Sequence, residues 1–516
     1  MQGICKIDKN LAIFSMLSAS KKPSPQLGMF TGLVDQLDQK HPLYVLANKI
    51  NWSVFDNAFK IHYSEKMGKP GKPIRLMVSL LILKHVRNLS DENLVEQWSE
   101  NLYYQYFGGE HQFQAGIPCV PTELAAFRQR IGEAGMELIL RESIRINEPP
   151  DNPGSAVVSV DTTVQEKNIT YPTDDKQYKK IIKKCWKIAV LEGINLRQSY
   201  TRTFKKLGYQ QRFKNTKQGA KKARKASKSI KIIAGRLVRE LARKLPMDRL
   251  GIYLPALKLY QRVLSQNRGD SDKIYSLHEP NVKCYTKGKE HKKFEFGSKA
   301  SFLVCQQTGI IMGALNFTET LHDSKTLPEV LEQYERLTGK EATEVFVDRG
   351  YKGMSRYKSS IIQVPKPDKN INKAKRKRHS RRAAIEPIIG HLKTDYRLCR
   401  NYLKGILGDQ INVILAAAAM NFKRAINLWR TEANRSWQLI CNLIMAVYGN
   451  LLFQKNENDF LRYDYLLKCL IRRSACRSSH CHFICTWPIH TGNKDIQQAK
   501  IHTKLATVMI MMAICH

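Results

Sequence analysis

The sequence predicts a mixed α/β protein with a helical N-terminal region and a basic, mainly helical insertion after its first strand. Three observations carry this reading. Up to about residue 150, apolar residues recur at helical spacing. Beyond it, short β-branched runs alternate with helical segments, the pattern of an α/β core. Between residues 176 and 244 there are 23 Lys or Arg against two acids, Glu192 and Glu240.

In the N-terminal region, residues 74–86 carry Leu76, Val78, Leu80, Leu81 and Leu83, and Pro73 is placed to open a helix. A break at Asn88-Leu89-Ser90 leads into the cap-type run Ser90-Asp91-Glu92-Asn93 and a second helix, LVEQW. Helix, short turn, helix is the outline of a helix-turn-helix and equally of two ordinary packed helices. A third segment, residues 122–131, places Arg128 and Arg130 on a basic face. Pro149-Pro150-Asp151-Asn152-Pro153-Gly154 is a strong loop signal and marks a domain boundary.

The strand AVVSVDTTV follows, and then the basic stretch, whose run KKARKASKSIKIIAGRLVRELARKL has high helix propensity. FEFGSKASFLVCQQTGIIMGALNF reads as a hairpin turning at Gln307-Thr308-Gly309. A helix over 324–337 with Ser324 as its cap comes next, then a strand over 344–348, a turn (RGYKG) and a strand (SSIIQVP). A basic loop and a long helix over about 384–404 complete the core, and no internal repeat is present. The expected domains are 1–150, helical and DNA-binding; 151–430, catalytic, with the insertion at about 172–272; and 431–516, a C-terminal helix and an atypical tail.

The 516 residues allow roughly two to four domains. With 43% hydrophobic and 25% charged residues, a mostly disordered chain is excluded. Lys and Arg total 85 against 45 acids, a formal net charge of +40. An excess of that size looks for a polyanion and disfavours an acidic small-molecule substrate, although a solvated basic surface scores the same. No long uncharged apolar run is evident, so no membrane partner is expected. The stretch LAIFSMLSAS lacks a convincing cleavage site, and scattered cysteines suit a reducing cytosol; a cytoplasmic, nucleoid-associated protein is expected. Five of the twelve cysteines crowd into the last 48 residues, where Cys476, Cys481, His482, Cys485 and His490 lack the paired spacing of a zinc site.

Two acids stand where apolar strands run out: Asp161 after AVVSV and Asp348 after EVFV. That is the sheet edge where α/β folds bind ligands, yet each alone suits a turn-forming or capping Asp. A third acid shifts the balance. Ile385, Ile388, Ile389, Leu392, Tyr396, Cys399 and Leu403 define one helical stripe. On the neighbouring face Arg382, Glu386, Lys393, Arg397 and Arg400 fall within about 60° of one another at 100° per residue. One carboxylate among four cations reads as a metal-binding acid on a phosphate-facing strip. Phosphodiester chemistry needs one oxygen activated and another stabilised, which two hard cations about 3.5–4 Å apart accomplish. Mg²⁺ takes oxygen ligands, so two or three carboxylates suffice. His322-Asp323 and His278-Glu279 are weaker acid/base or metal pairs, without partner ligands at metal-site spacing.

On SVDTTV around Asp161, VFVDRGYKG around Asp348 and RRAAIEPIIGHLKTDYRLCRNYLKG around Glu386, the chain resembles the bacterial insertion-sequence transposases of the DDE superfamily. GDQINVILAAAAMNFKRAINLW is similar to the family's closing helix, and GKPIRLMVSLLILKHVRNLSDENLVEQW to its preceding helical domain. The resemblance covers roughly residues 40–430. It implies a ribonuclease-H-like core and a metal-binding catalytic triad of Asp161, Asp348 and Glu386, holding two Mg²⁺ ions with Mn²⁺ as the alternative. Arg382 and Lys393 are implied to contact DNA near the cut, and Arg397, Arg400, Arg349 and Lys352 join them as DNA-binding candidates. His379 stands where a related branch has a tyrosine, so that role is not carried over. The implied activity is binding of terminal inverted repeats, metal-dependent strand cleavage and strand transfer, with element ends and target DNA as partners and a homodimer on paired ends. The basic insertion reads as a DNA-backbone clamp or as a solvated helical pair. The alternatives to an active transposase are a catalytically inactive DNA-binding relative or transposition repressor, and a nuclease unrelated to transposition.

Overall fold

The computed structural model describes residues 32–63, 71–147, 157–267, 269–286, 293–365 and 373–452. LAIFSMLSAS, the 149–154 loop, the start of the basic loop before α13 and the cysteine-rich tail lie outside the described residues. Residues up to Ala433 form one compact unit, described here; Asn434–His516 form a second.

Among the described residues, seven α-helices precede the sheet: α1 (Leu33–Gln36), α2 (Pro42–Lys49), α3 (Trp52–Phe59), α4 (Ile74–Val86), α5 (Asp91–Glu100), α6 (Leu102–Gly108) and α7 (Pro121–Asn147). Pro73 stands at the N-cap of α4, and the Ser90 hydroxyl accepts the Asn93 N–H to cap α5, both as expected. Every residue of α4 from Leu76 to Val86 is buried, so α4 is a core helix. The outer face of α5 shows Glu92, Glu96 and Glu100. Arg128 leaves the basic face assigned to it. It is 4% exposed and grips Asp91 with both guanidinium nitrogens, at 3.0 and 2.6 Å, while Lys84 reaches the same carboxylate at 2.8 Å.

The sheet is mixed and eight-stranded. After β1 (Val157–Lys167) come helices α8 (Asp174–Leu191), α9 (Thr201–Gln210), α10 (Lys217–Lys244) and α11 (Met247–Ser265). Then follow β2 (Lys283–Thr286), β3 (Phe294–Cys305), β4 (Ile311–Phe317), α12 (Asp323–Thr338), β5 (Glu344–Phe346), β6 (Arg356–Tyr357), β7 (Ser360–Gln363), α13 (Lys373–Arg382), α14 (Ile385–Asp395), β8 (Arg400–Asn401) and α15 (Gly405–Leu452). The order is β2-β3-β1-β5-β7-β6, with β4 on β3 and β8 on β1. β1 runs parallel to β5 and antiparallel to β3. The expected hairpin is β3–β4, and the cap of α12 is His322 rather than Ser324, its ring accepting the Ser324 N–H.

The chain departs from the sequence reading in three further places. β1 does not end at Asp161 but continues to Lys167. The basic loop contains helix α13. The long helix over 384–404 stops at Asp395: Arg397 takes φ +66°, Leu398 bonds back to the Leu392 carbonyl at 3.0 Å, and Arg400–Asn401 pair with Glu166–Lys167. A helical periodicity extrapolated across that reversal put Arg397 and Arg400 on a face they do not share with Glu386, and Cys399 on an apolar stripe although it is exposed.

One hydrophobic core runs from Leu43 in α2 through α4 and α7 to the sheet and α15, with Phe302, Phe422 and Trp98 among its members. A second, smaller core belongs to the insertion, where Ile181, Ile233, Leu237, Leu257 and Val263 meet. The segment Gly405–Thr431 is long and apolar enough to cross a membrane by composition, which the absence of long apolar runs had excluded; 78% of that window is buried inside the protein. Buried polar groups of α15 are tied to the sheet. Asn412 donates to Gln165 on β1 (2.7 Å), Asn421 to the Ile311 carbonyl (2.8 Å), and Gln410 accepts the Asn316 N–H (2.6 Å).

Where β1 ends, Lys167 is 3% exposed and bonds Asp409 of α15 at 2.6 Å and Glu279 at 3.4 Å. Glu279 is thus a structural acid, and its neighbour His278 is exposed and bonds Ser276. Replacing Lys167 with Ala strands two buried carboxylates, a loss of about 3–5 kcal/mol. Urea denaturation of Lys167→Ala against the parent is expected to show a loss of that order.

Candidate active site

β5 pairs only with Val157, Val158 and Ser159 of β1, and β8 takes up Glu166 and Lys167. Along that side of β1 the residues between, Asp161 among them, have no strand partner among the described residues. This gap, rather than the end of a strand, opens Asp161 to a ligand. Its side chain is 18% exposed and its Oδ1 accepts the Thr162 N–H at 2.8 Å. Burial raises its pKa to about 6; Asp348 and Asp323 push in the same direction, against the Thr162 N–H and Arg382.

Asp348 follows β5 and caps the short turn Arg349–Tyr351, with the Gly350 N–H bonded to its Oδ1 at 2.8 Å. Position 350 tolerates no side chain without displacing the site. A Cβ there would lie 2.9 Å from Asp348 Oδ1 and 3.2 Å from Asp323 Oδ2. Asp323, at the start of α12, therefore belongs to the same cluster. Sequence reading paired it with His322 and found no partners; its partners come instead from β1 and β3. Thr162 Oγ1 and Lys299 Nζ each donate to its Oδ1 at 2.8 Å.

Arg382 closes the group from the end of α13. Its Nη1 is 4.0 Å from Asp161 Oδ2 and its Nη2 3.6 Å from Glu386 Oε1. Nη1 is buried without a hydrogen-bond partner. Glu386, in the first turn of α14, is 65% exposed. An open cleft of about 430 Å³ beside these groups is lined by Asp348, Arg349, Pro365, His379, Arg382 and Ala383. His379 packs edge-on against Phe346, 5.1 Å between centroids.

The structure brings together Asp161, Asp348, Arg382 and, through that arginine, Glu386. Arg349 and Lys352 are exposed on the Asp348 turn, Lys393 is half-buried on α14, and Arg400 is exposed on β8. Arg397 is built into the fold instead. Its guanidinium donates to the Asn88 carbonyl at 3.2 Å and Asn88 returns a bond to Thr394, docking the α4–α5 turn against α14.

A family model described as a transposase domain (DUF772) matches residues 32–130, and one described as a transposase DDE domain matches residues 270–422. The uncharacterized protein ORF8 in the nfe locus of Rhizobium meliloti is 40% identical over 191 residues, which is 36% of this chain and 92% of that protein. The chain belongs to the insertion-sequence DDE transposases. No solved structure matches it. Asp348 and Glu386 fall within the DDE match, whereas Asp161 and the basic insertion lie between the two matched segments. It is the pairing of β1 with β3 and β5 that carries Asp161 into this transposase's site.

DDE transposases generally use divalent metal ions. Among the described residues no three His, Cys, Asp or Glu side chains are close enough together to hold an ion as they stand. The donor set nevertheless suits a hard cation. It offers carboxylate oxygens alone, Asp161 and Asp348 repel each other, and a guanidinium lies between Asp161 and Glu386.

The raised pKa of Asp161 has a sign. Folding favours the protonated form, so its contribution is fully present below the unfolded pKa of about 3.9 and is lost as pH rises through about 6. In EDTA, Asp161→Asn is expected to stabilise the transposase above pH 6, by up to about 3 kcal/mol, and to leave it unchanged below about pH 4. Thermal melts across that range check it; a destabilised variant at pH 7.5 contradicts it.

Proposed function

We propose that this transposase cuts and joins DNA at a ribonuclease-H-like site in which Asp161, Asp348 and Glu386 are the catalytic acids and hold two Mg²⁺ ions. The observation that carries this is the approach of Arg382 to both Asp161 and Glu386 beside a cleft that Arg382 and Asp348 line, with Asp161 and Asp348 close enough to repel each other. Such cations, when bound, activate the attacking oxygen and stabilise the leaving one. Asp161 on β1 and Asp348 just past the neighbouring β5 present their oxygens from one sheet, and Glu386 on α14 is linked to Asp161 through Arg382. Arg382, released from its carboxylates, has a guanidinium ready for a phosphate, and Lys393, Arg349, Lys352 and Arg400 hold the backbone on either side. The substrates are the terminal inverted repeats of the element and its target DNA, worked on at the bacterial nucleoid by a homodimer on paired ends.

The insertion acts as a backbone clamp. α10 buries Ala223, Ala226, Ile230, Ile233, Leu237 and Leu241 on one stripe and exposes Lys221, Lys222, Arg224, Lys225, Lys228 and Arg236 elsewhere. The two acids of this stretch are consumed internally, Glu192 by Tyr253 and Glu240 by Lys244. Residues 1–150 are assigned as a helical DNA-binding domain and 431–516 as a C-terminal helix and tail.

Asp161→Asn is expected to abolish Mg²⁺-dependent nicking and strand transfer of end-bearing DNA while binding persists; undiminished cleavage removes the triad assignment, and a parent protein that binds without cutting establishes a repressor. Replacing Lys221, Lys222 and Lys225 with Gln is expected to weaken binding to all DNA sequences alike. The slope of log K against log salt should then shallow by up to about three, and an unchanged slope assigns those lysines to solvent.

A further inference from the structure

The triad leaves Asp323 unexplained. It is a carboxylate placed by three separate elements beside two others of the same charge. Its Oδ1 accepts both Thr162 Oγ1, from the residue that follows Asp161 on β1, and Lys299 Nζ, from β3. Lys299 is itself held by the Leu321 carbonyl at 2.5 Å. The second oxygen, Oδ2, lies beside the turn at Gly350, where a Cβ would be 3.2 Å from it and 2.9 Å from Asp348 Oδ1. Tyr351 nearby is fully buried, and the charges of Asp323, Asp161 and Asp348 all act on its hydroxyl, against the Thr326 side chain.

We propose that Asp323 is a positioning residue of this site: through the Thr162 hydroxyl it holds the β1 segment bearing Asp161, through Gly350 it braces the turn bearing Asp348, and its charge draws a divalent cation to both. Lys299 offsets part of that charge, which lets a third carboxylate sit there without driving the cluster apart. This is the arrangement expected of an outer partner that orients metal-binding carboxylates, whose loss typically costs 10- to 100-fold in metal affinity. The inference rests on reading Asp161 and Asp348 as cation ligands.

Mn²⁺ binding to the full-length protein, measured from the EPR signal of free Mn²⁺, tests it without reference to activity. Asp323→Asn keeps an oxygen for Thr162 and Lys299 but removes the charge, and is expected to weaken Mn²⁺ binding by roughly 10- to 100-fold. Thr162→Val keeps the charge and cuts the tether, and a smaller loss in the same direction is expected. In strand cleavage, Asp323→Asn should lower kcat at limiting Mn²⁺, recover at high Mn²⁺ and leave KM for DNA unchanged. Parental Mn²⁺ affinity in both variants, or a kcat deficit that Mn²⁺ does not restore, overturns the proposal. Asp348→Asn separates it from its premise: parental Mn²⁺ binding in that variant removes the cation site itself, whatever Asp323 does.

Discussion

The register of β1 is the constraint on which the site depends. Side chains alternate faces along a strand, so a slip of one residue would turn Asp161 away from Asp348 and Arg382. Several features forbid the slip. Gly297 of β3 passes so close to β1 that a Cβ there would lie 1.8 Å from the Gln165 carbonyl oxygen, so glycine is required opposite Glu166. The Gln165 side chain donates to the Asp409 carbonyl and accepts from Asn412, and Lys167 reaches Asp409 and Glu279. Each of these groups is buried, and a buried polar group without a partner is expensive. The network is fully satisfied in one register only. Asn412 also meets the His85 ring, so the same α15 residue ties the N-terminal helices to β1.

Electrostatics runs against stability at Asp161 and with it at Asp91. In the N-terminal region Asp91 is surrounded by Arg128 and Lys84 and its pKa falls to about 2, so its charge supports the fold at every physiological pH. At the cleft Asp161 is raised to about 6. The difference lies in what the fold supplies. Asp91 receives direct, short ion pairs, whereas Asp161 receives one arginine at 4.0 Å that it shares with Glu386. A site that leaves its acids underneutralised keeps their attraction for an incoming cation, and the surrounding fold carries the strain.

Much of this was legible in the sequence because it is local. The α4 and α5 boundaries follow from Pro73 and Ser90, the β3–β4 hairpin from its alternation and Gly309, and Asp348 from the apolar run before it. What was not legible depends on partners distant in sequence. Arg397 carries a helical pattern into its neighbourhood, but its contact with Asn88 and the pairing of β8 with β1 reverse the chain there. Arg128 looked solvated until Asp91, from another helix, was placed beside it. Asp323 has no sequence neighbour that reveals it, since Thr162 and Lys299 reach it only through the order of strands in the sheet.

The same geometry explains how a strongly basic segment can interrupt the sheet soon after Asp161. Lys167 is the last residue of β1 before the insertion, and Glu279 lies just after it; they form a 3.4 Å buried ion pair over Asp409. The chain therefore leaves the sheet and returns to it at nearly the same point, which is the condition under which an inserted module costs the host fold little. The insertion brings its own core, so its helices need no apolar surface from the sheet. Charge can accumulate on α10 without altering the field that Asp161 and Asp348 experience through direct contacts, and β2 and β3 resume the sheet where β1 left it. Separating the basic surface of α10 from the strands that hold the acids lets each be changed alone.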